Sequence, residues 1–350
     1  MINNVKLTNF RSHQSLGISI DPRTTAIIGR NASGKTNILE SIYYGFITKS
    51  FKATQASLIN RDSDFSKINI SYHIDKDYDI EYRIKKTLNS ASRTITINKI
   101  NKKPSEVLGI QPVVIFVPDD VRIITDGPQL RRNLLNSIII QVSKPYLVAL
   151  NKFQKVLNQR NKLLNGLKHG LSGNKDQLFI YNLQLAEPIE IIYQHRDMLI
   201  KFINSVIGQH YSAISGNKDN VRLEYLSTLP KNKEDILKSL EDSTNEDIRI
   251  GFSSRGPHKD EVSISLNGYK VRDSLSRGEN RSLALSIKLS EIDYIKINNS
   301  NPPLLLLDDV LSELDHERQQ HLLEHTKGQQ TILTATDMAD NISGYKIVNI

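Results

Sequence analysis

Apolar residues in this chain recur with different periods, and the changes of period divide it. Up to about residue 100 the step is two. Val5, Leu7 and Phe10 suggest one strand, and Leu16, Ile18 and Ile20 a second. Ile68-Asn69-Ile70-Ser71-Tyr72, Ile80-Glu81-Tyr82-Arg83-Ile84 and Thr94-Ile95-Thr96-Ile97 predict an antiparallel meander with one solvated face. Unbroken apolar runs predict strands buried on both faces: Ala26-Ile27-Ile28, Val113 to Val117, and Leu304 to Leu307. Gln330 to Thr336 reads as another core strand and Tyr345 to Ile350 as a last edge strand.

From 146 to 215 the step becomes three, four or seven. Tyr146, Leu150, Phe153, Leu157 and Leu164 form one series, and Leu185, Ile189, Ile192, Leu199, Ile203 and Val206 another. Gly166, Gly170, Gly173 and Asn174 cluster between them as a turn. The pattern predicts two antiparallel helices, a short coiled-coil arm. The first would extend about 33 Å at 1.5 Å per residue. Lys152, Lys155, Arg160, Lys162 and Lys168 decorate it and read as a solvated face. Residues 216–247 are polar and predict a loop with one short helix near Glu234 to Leu240. Strands are expected to return at Ile248 to Phe252 and Val262 to Leu266, the latter ending in an Asn267-Gly268 turn. The fold class is therefore α/β. Residues 1–120 and 248–350 are expected to form one domain and 121–247 a helical insertion, in which Pro128 suits the first turn of a helix that carries Arg131 and Arg132.

The chemistry concentrates where strand periods break. Gly29-Arg30-Asn31-Ala32-Ser33-Gly34-Lys35-Thr36 follows a buried strand, and residues 34–48 read as a helix with Ile38, Leu39, Ile42 and Phe46 at helical spacing. This is GxxxxGK[ST] in its proper context. Glycines let the backbone wrap phosphate, the helix start adds positive potential, Lys35 reaches the terminal phosphates and Thr36 can hold Mg²⁺. Leu304 to Leu307 deliver Asp308 and Asp309, the form of a second nucleotide motif: Asp308 for the metal, Asp309 to orient or deprotonate water. Leu275-Ser276-Arg277-Gly278 opens a long helix, where Ser276 is either an N-cap or a phosphate contact. Arg11 reads as a surface charge, with a place near the nucleotide as the alternative. Thr48-Lys49-Ser50-Phe51-Lys52 suits either phosphate and a base or a turn with Phe51 tucked inward. His258, with no nucleophile pattern near it, reads as a structural histidine.

Composition narrows the setting. The 350 residues contain no cysteine, which excludes disulfides and thiolate metal sites. The start lacks a signal-peptide layout and no apolar run is long enough to span a bilayer, so a cytoplasmic location and no membrane partner are expected. The net charge of +8 suits a polyanion.

The order P-loop, then L-S-x-G, then the Asp308 motif is similar to that of ABC-type ATPase heads, and the helical insertion to the SMC-like branch. LTNFRSH, KSFK, FVPDDVRIITDGPQLRRNLLN, GPHKDE, LSRGE and LLLLDDVLSELD together resemble the RecF family of bacterial DNA replication and repair proteins. The resemblance covers nearly the whole chain. It implies an ABC-type head with a mixed sheet over 1–120 and 248–350 and a helical domain with the coiled-coil arm over 121–247. It implies an ATP-dependent homodimer that binds single- and double-stranded DNA at gaps or junctions and works with RecR and RecO in loading recombinase. ATP and Mg²⁺ would be its cofactors. Lys35, Asp309 and, in trans, Ser276 would serve slow, DNA-stimulated hydrolysis; Gly29 to Asn37 would hold nucleotide, and Thr36 and Asp308 the metal. Two departures from ABC heads stand out: Thr334-Ala335-Thr336 replaces the usual histidine switch, and the usual Q-loop glutamine is missing near Val117-Pro118. An ABC transporter subunit and a chromosome-organising SMC-like protein are the competing readings.

Overall fold

The structure is a computed structural model that describes residues 1–88, 90–170, 174–271, 275–336 and 345–350. In chain order its elements begin with β1 (Ile2–Phe10), β2 (His13–Ser19), β3 (Thr24–Ile28) and α1 (Lys35–Ile47). There follow β4 (Phe65–His73), β5 (Asp77–Lys86), β6 (Ala91–Ile97), β7 (Ile100–Asn101), α2 (Pro104–Val107) and β8 (Val113–Phe116). Then come α3 (Arg122–Thr125), α4 (Pro128–Val142), α5 (Lys144–Lys168), α6 (Asp176–Ser215), β9 (Val221–Leu226), α7 (Lys233–Asp242) and α8 (Thr244–Ile250). The chain closes with β10 (Glu261–Leu266), β11 (Tyr269–Lys270), α9 (Arg277–Asn298), β12 (Leu304–Asp308), α10 (His316–Thr326), β13 (Thr331–Ala335) and β14 (Lys346–Asn349). Contacts divide it into two units: Met1–Asp120 with Glu291–Ile350, and Val121–Ser290. Among the described residues no helix is long and apolar enough to cross a membrane.

The first unit holds two sheets. The alternating segments make an antiparallel sheet in the order β2-β1-β4-β5-β6-β7. The unbroken apolar runs make a parallel sheet in the order β14-β3-β13-β12-β8. β1 and β3 therefore lie in different sheets; β1 does not flank the P-loop strand. Leu304 to Leu307 and Val113 to Phe116 are wholly buried, as strands covered on both faces must be. α1 packs Ile38, Leu39, Ile42 and Phe46 into the core, where Phe46 meets Tyr72 edge-on with ring centroids 5.4 Å apart. Gln330 ties β13 to β1: its amide accepts from Ile2 N at 2.7 Å and donates to Ile2 O at 2.8 Å.

In the second unit α5 and α6 run antiparallel, as paired contacts Tyr146–Arg196, Lys152–Glu187 and Arg160–Asn182 show. Gly173 of the expected turn lies outside the described residues. The helix pair packs against α7, α8 and β9. Three expectations fail here, for related reasons. Residues 221–226, expected within a loop, are a strand, because Val221, Leu223 and Tyr225 alternate inward and pair with β10. Ile248 to Phe252 is not a strand; α8 runs to Ile250 and stops at Gly251, whose φ of 89° ends it in the left-handed conformation. Residues 248–290, expected with the first domain, belong to the second unit. The causes are the β9–β10 pairing and the buried arginines that hold this segment.

Arg160 is the clearest case. It is not part of a solvated face: it is fully buried, donating to Asn182 Oδ1 at 2.9 Å, Asp247 Oδ2 at 2.7 Å and Ser253 Oγ at 2.7 Å. Arg196 donates to Tyr146, Tyr225, Asn136 and the Pro257 carbonyl. Arg132 donates to the carbonyl of Asp260 at 2.6 Å, and Arg131 to Glu261 at 3.0 Å. Removing one partner of such a buried pair leaves an uncompensated charge. Asp247→Ala is expected to cost about 3–5 kcal/mol, read as a lowered midpoint in urea unfolding. A midpoint within experimental error of wild type would show that Asp247 does not anchor this unit.

Candidate functional site

β3 is buried from Thr25 to Ile28 and pairs in parallel with β13 and β14. The chain leaves the sheet at Gly29, where a Cβ would lie 2.5 Å from the Ile350 carbonyl oxygen and 2.7 Å from Ser33 Oγ. Ala32 takes φ 68°, unusual for a residue with a side chain. Gly34 takes φ 100°, and a Cβ there would sit 2.5 Å from His13 Nε2. Gly34 is the N-cap of α1, so no side chain covers the first amides of that helix. Lys35 is buried and its ammonium donates to the carbonyls of Gly29 at 2.6 Å and Arg30 at 3.1 Å. Ser33 Oγ is buried without a protein partner. A bare helix start, a lysine curled into the loop and an orphan hydroxyl fit a phosphate group.

Asp308 ends β12 beside this loop. Thr36 Oγ1 donates to Asp308 Oδ1 at 2.8 Å, bridging residues 272 apart in sequence. Thr334 Oγ1 donates to the same oxygen at 3.1 Å and accepts from Asp309 N at 2.9 Å. Burial pushes the Asp308 carboxyl above the usual carboxylate range; Thr36, Lys52 and Thr334 oppose this and Asp309 adds to it. A hydroxyl and a carboxylate within hydrogen-bond distance are hard oxygen donors, the set that suits Mg²⁺. Asp309 is half-buried at φ 54°. Left-handed backbone in an aspartate directly after the strand is strain of the kind that gathers at functional sites. Within the Thr334-Ala335-Thr336 stretch that departs from the ABC pattern, the Thr334 hydroxyl thus ties both aspartates.

Arg11 is not an ordinary surface charge. At φ 53° it turns from β1 into β2 and pairs bidentately with Glu40 of α1, at 2.8 and 2.7 Å. Glu40 is fully buried and also accepts from Ser50 Oγ. The same turn brings Ser12 to Asn37, 2.9 Å apart, and His13 Nε2 to the Gly34 carbonyl at 3.1 Å. Sequence reasoning missed Ser12, His13 and Glu40. The available signal was Glu40, a carboxylate among the apolar residues of α1.

Of the remaining predicted residues, Arg30 and Asn31 are exposed and Asn37 is half-buried. Phe51 packs against Tyr43 with ring centroids 5.4 Å apart, which favours the inward reading of its loop, while Lys52 stays exposed. Ser276 lies in the second unit and caps α9: Glu279 N donates to its Oγ at 3.2 Å and Ser276 N to Glu279 Oε2 at 2.8 Å. His258 is structural in its contacts. Its Nε2 lies 3.1 Å from the Ser253 carbonyl, and burial lowers its pKa.

The RecF/RecN/SMC N-terminal domain family matches residues 1–339 of the chain. DNA replication and repair protein RecF of Clostridium tetani is 37% identical over 351 residues, covering 97% of this chain and 94% of that one. RecF of Agathobacter rectalis is 36% identical, covering 97% of this chain and 92% of that one. A solved recombination mediator protein, RecF-ATPrS in the RecFOR pathway, superposes with TM-score 0.90 at 29% identity, covering 100% of this chain and 96% of that one. An SMC head bound to the C-winged helix domain of ScpA shares the fold alone, at TM-score 0.56, 17% identity and coverage of 99% and 93%. The chain belongs to the RecF family, with an ABC-type ATPase head.

The raised Asp308 carboxyl yields a prediction with a definite sign. A carboxyl whose folded pKa exceeds its unfolded one loses stability as pH rises through that range. Asp308→Asn should therefore melt higher than wild type at neutral pH without nucleotide, and the gap should close as pH falls. In the same variant, Mg²⁺ added with ATP should raise the melting temperature less than it does in wild type. Differential scanning fluorimetry across pH checks both; a variant less stable than wild type at neutral pH would contradict the assignment.

Proposed function

We propose that this RecF-family chain is an ATP-gated DNA-binding protein of recombinational repair and replication restart. The observation that supports the reading is the 2.8 Å Thr36–Asp308 hydrogen bond, which joins the GxxxxGK[ST] loop to the carboxylate that ends β12. The RecFOR pathway named for its solved relatives supports RecO and RecR as partners. The net charge of +8 supports a polyanion substrate. Single-strand/double-strand junctions or gaps are the expected targets, and the expected setting is the cytoplasm, where the protein would help load recombinase.

Within one subunit, Gly29 to Asn37 would cradle the phosphates of ATP. Lys35 would exchange the carbonyls of Gly29 and Arg30 for phosphate oxygens, and Ser33 would supply a hydroxyl. Thr36 and Asp308 would hold Mg²⁺, which neutralises phosphate charge when bound. The Arg11–Glu40 pair and the Ser12 and His13 contacts brace the start of α1 so that these groups keep their places. Asp309 would orient or deprotonate the attacking water. Its short side chain and strained backbone suit slow turnover, a switch more than an engine.

ATP would also be the glue of a homodimer. In a two-fold arrangement each Ser276 hydroxyl would meet the partner's terminal phosphate. ADP lacks that phosphate, so only ATP would favour the closed state. The capping box around Ser276 supports a narrower alternative, in which the serine only starts α9.

Lys35→Ala should remove ATP binding in a calorimetric titration with the fold intact by circular dichroism; unchanged affinity would contradict the P-loop assignment. Asp309→Asn should accumulate the ATP-bound dimer, and Ser276→Arg should bind ATP yet stay monomeric, both read by light scattering. The cap-only role predicts about 1 kcal/mol of lost stability for Ser276→Ala and no change in assembly for Ser276→Arg.

A further inference from the structure

Residues 252–259 form a loop with an unusual division of labour. Almost every backbone anchor is internal. Ser253 N donates to Asn161 at 2.8 Å, and Ser253 Oγ receives buried Arg160 at 2.7 Å. Ser254 N and Oγ donate to Asp247 at 2.9 and 2.6 Å. Gly256 N donates to Thr228 Oγ1 at 2.7 Å, and the Pro257 carbonyl accepts from buried Arg196 at 2.9 Å. Such a loop is fixed by its supporting shell before any ligand arrives.

The side chains left outside are one aromatic and two cations. Phe252 is 44% exposed, and Arg255 and Lys259 are exposed. Lys259 Nζ sits 4.7 Å from the centre of the Phe252 ring, and Arg255 Nη1 donates to Ser239 Oγ at 3.2 Å. Lys168 borders the loop, donating to the Ile250 carbonyl at 3.0 Å. Among the described residues none of these three cations is ion-paired with a carboxylate. Folding alone does not call for buried arginines that hold a loop carrying an exposed aromatic ring, a cation beside that ring and further cations without a carboxylate partner.

We propose that this loop is a contact for single-stranded DNA, with Arg255, Lys259 and Lys168 on the phosphates and Phe252 against a base. Rigid aromatic platforms with a basic border bind single strands without reading sequence, because every base offers a π-face. The inference rests on the DNA-binding reading above and names its site.

The test is fluorescence anisotropy on a labelled single-stranded oligonucleotide and a blunt duplex, with 2-aminopurine reporting stacking. Arg255→Gln with Lys259→Gln should weaken single-strand binding at least about tenfold and lower the log–log salt slope by roughly 1.4, at 0.7 per phosphate. Phe252→Ala should weaken it roughly 5- to 140-fold and abolish the 2-aminopurine quench, with Phe252→Tyr restoring both. Duplex affinity should change less than twofold, roughly, with Phe252→Ala. Wild-type affinity and slope in the double variant would overturn this inference alone and leave an acidic protein face as the occupant. Equal loss on duplex would overturn the single-strand assignment. No affinity of the wild-type protein for either DNA would overturn the DNA-binding reading itself.

Discussion

One hydrogen bond carries most of the site. Thr36 sits on the first turn of α1 and Asp308 at the end of β12, and they meet at 2.8 Å only if β3, β13 and β12 hold their parallel register. That register pairs Ile27 with Thr334 and Thr334 with Asp308. Thr334 is thus both a rung of the sheet and a donor to the carboxylate. A slip along β13 would remove the hydroxyl that orients Asp308 and steadies Asp309. The burial that makes the sheet also raises the proton affinity of Asp308, so the fold holds a carboxylate in a place a divalent cation would favour.

The parts of this site that sequence revealed are those governed by local rules. A glycine turn between a buried strand and a helix needs few long-range facts, and neither does a run of leucines ending in aspartates. Ala26 to Ile28, Leu304 to Leu307 and the helix from Lys35 all appear where periodicity put them. The parts that stayed hidden depend on residues far apart. Arg11 looked like a surface charge because its partner, Glu40, is in another element. Arg160 looked solvated because Asp247 and Ser253 lie some ninety positions away in sequence. β9 was missed because a six-residue strand with alternating charges resembles a loop until β10 pairs with it.

The two units use charge differently. In the first, the buried Glu40 braces α1 and the buried Lys35 is curled onto loop carbonyls that a phosphate would replace. In the second, Arg132, Arg160 and Arg196 are spent internally, and what they hold in place is the segment from Asp247 to Asp260. Buried guanidiniums are poor sources of net stability compared with apolar packing, and their value here is positional. The sequence motif GPHKDE is largely this scaffold: His258 and Asp260 face inward, and Lys259 faces out.

The central claim is that Thr36 and Asp308 form the metal-dependent half of an ATP site. Calorimetric titration of ATP into wild type and Thr36→Val, with Mg²⁺ and with a chelator, tests it most directly. Valine keeps the shape of threonine and removes the hydroxyl. The account predicts that Mg²⁺ strengthens ATP binding to wild type and has little effect on Thr36→Val. Wild-type binding indifferent to Mg²⁺, or a variant that responds to the metal as wild type does, would contradict it.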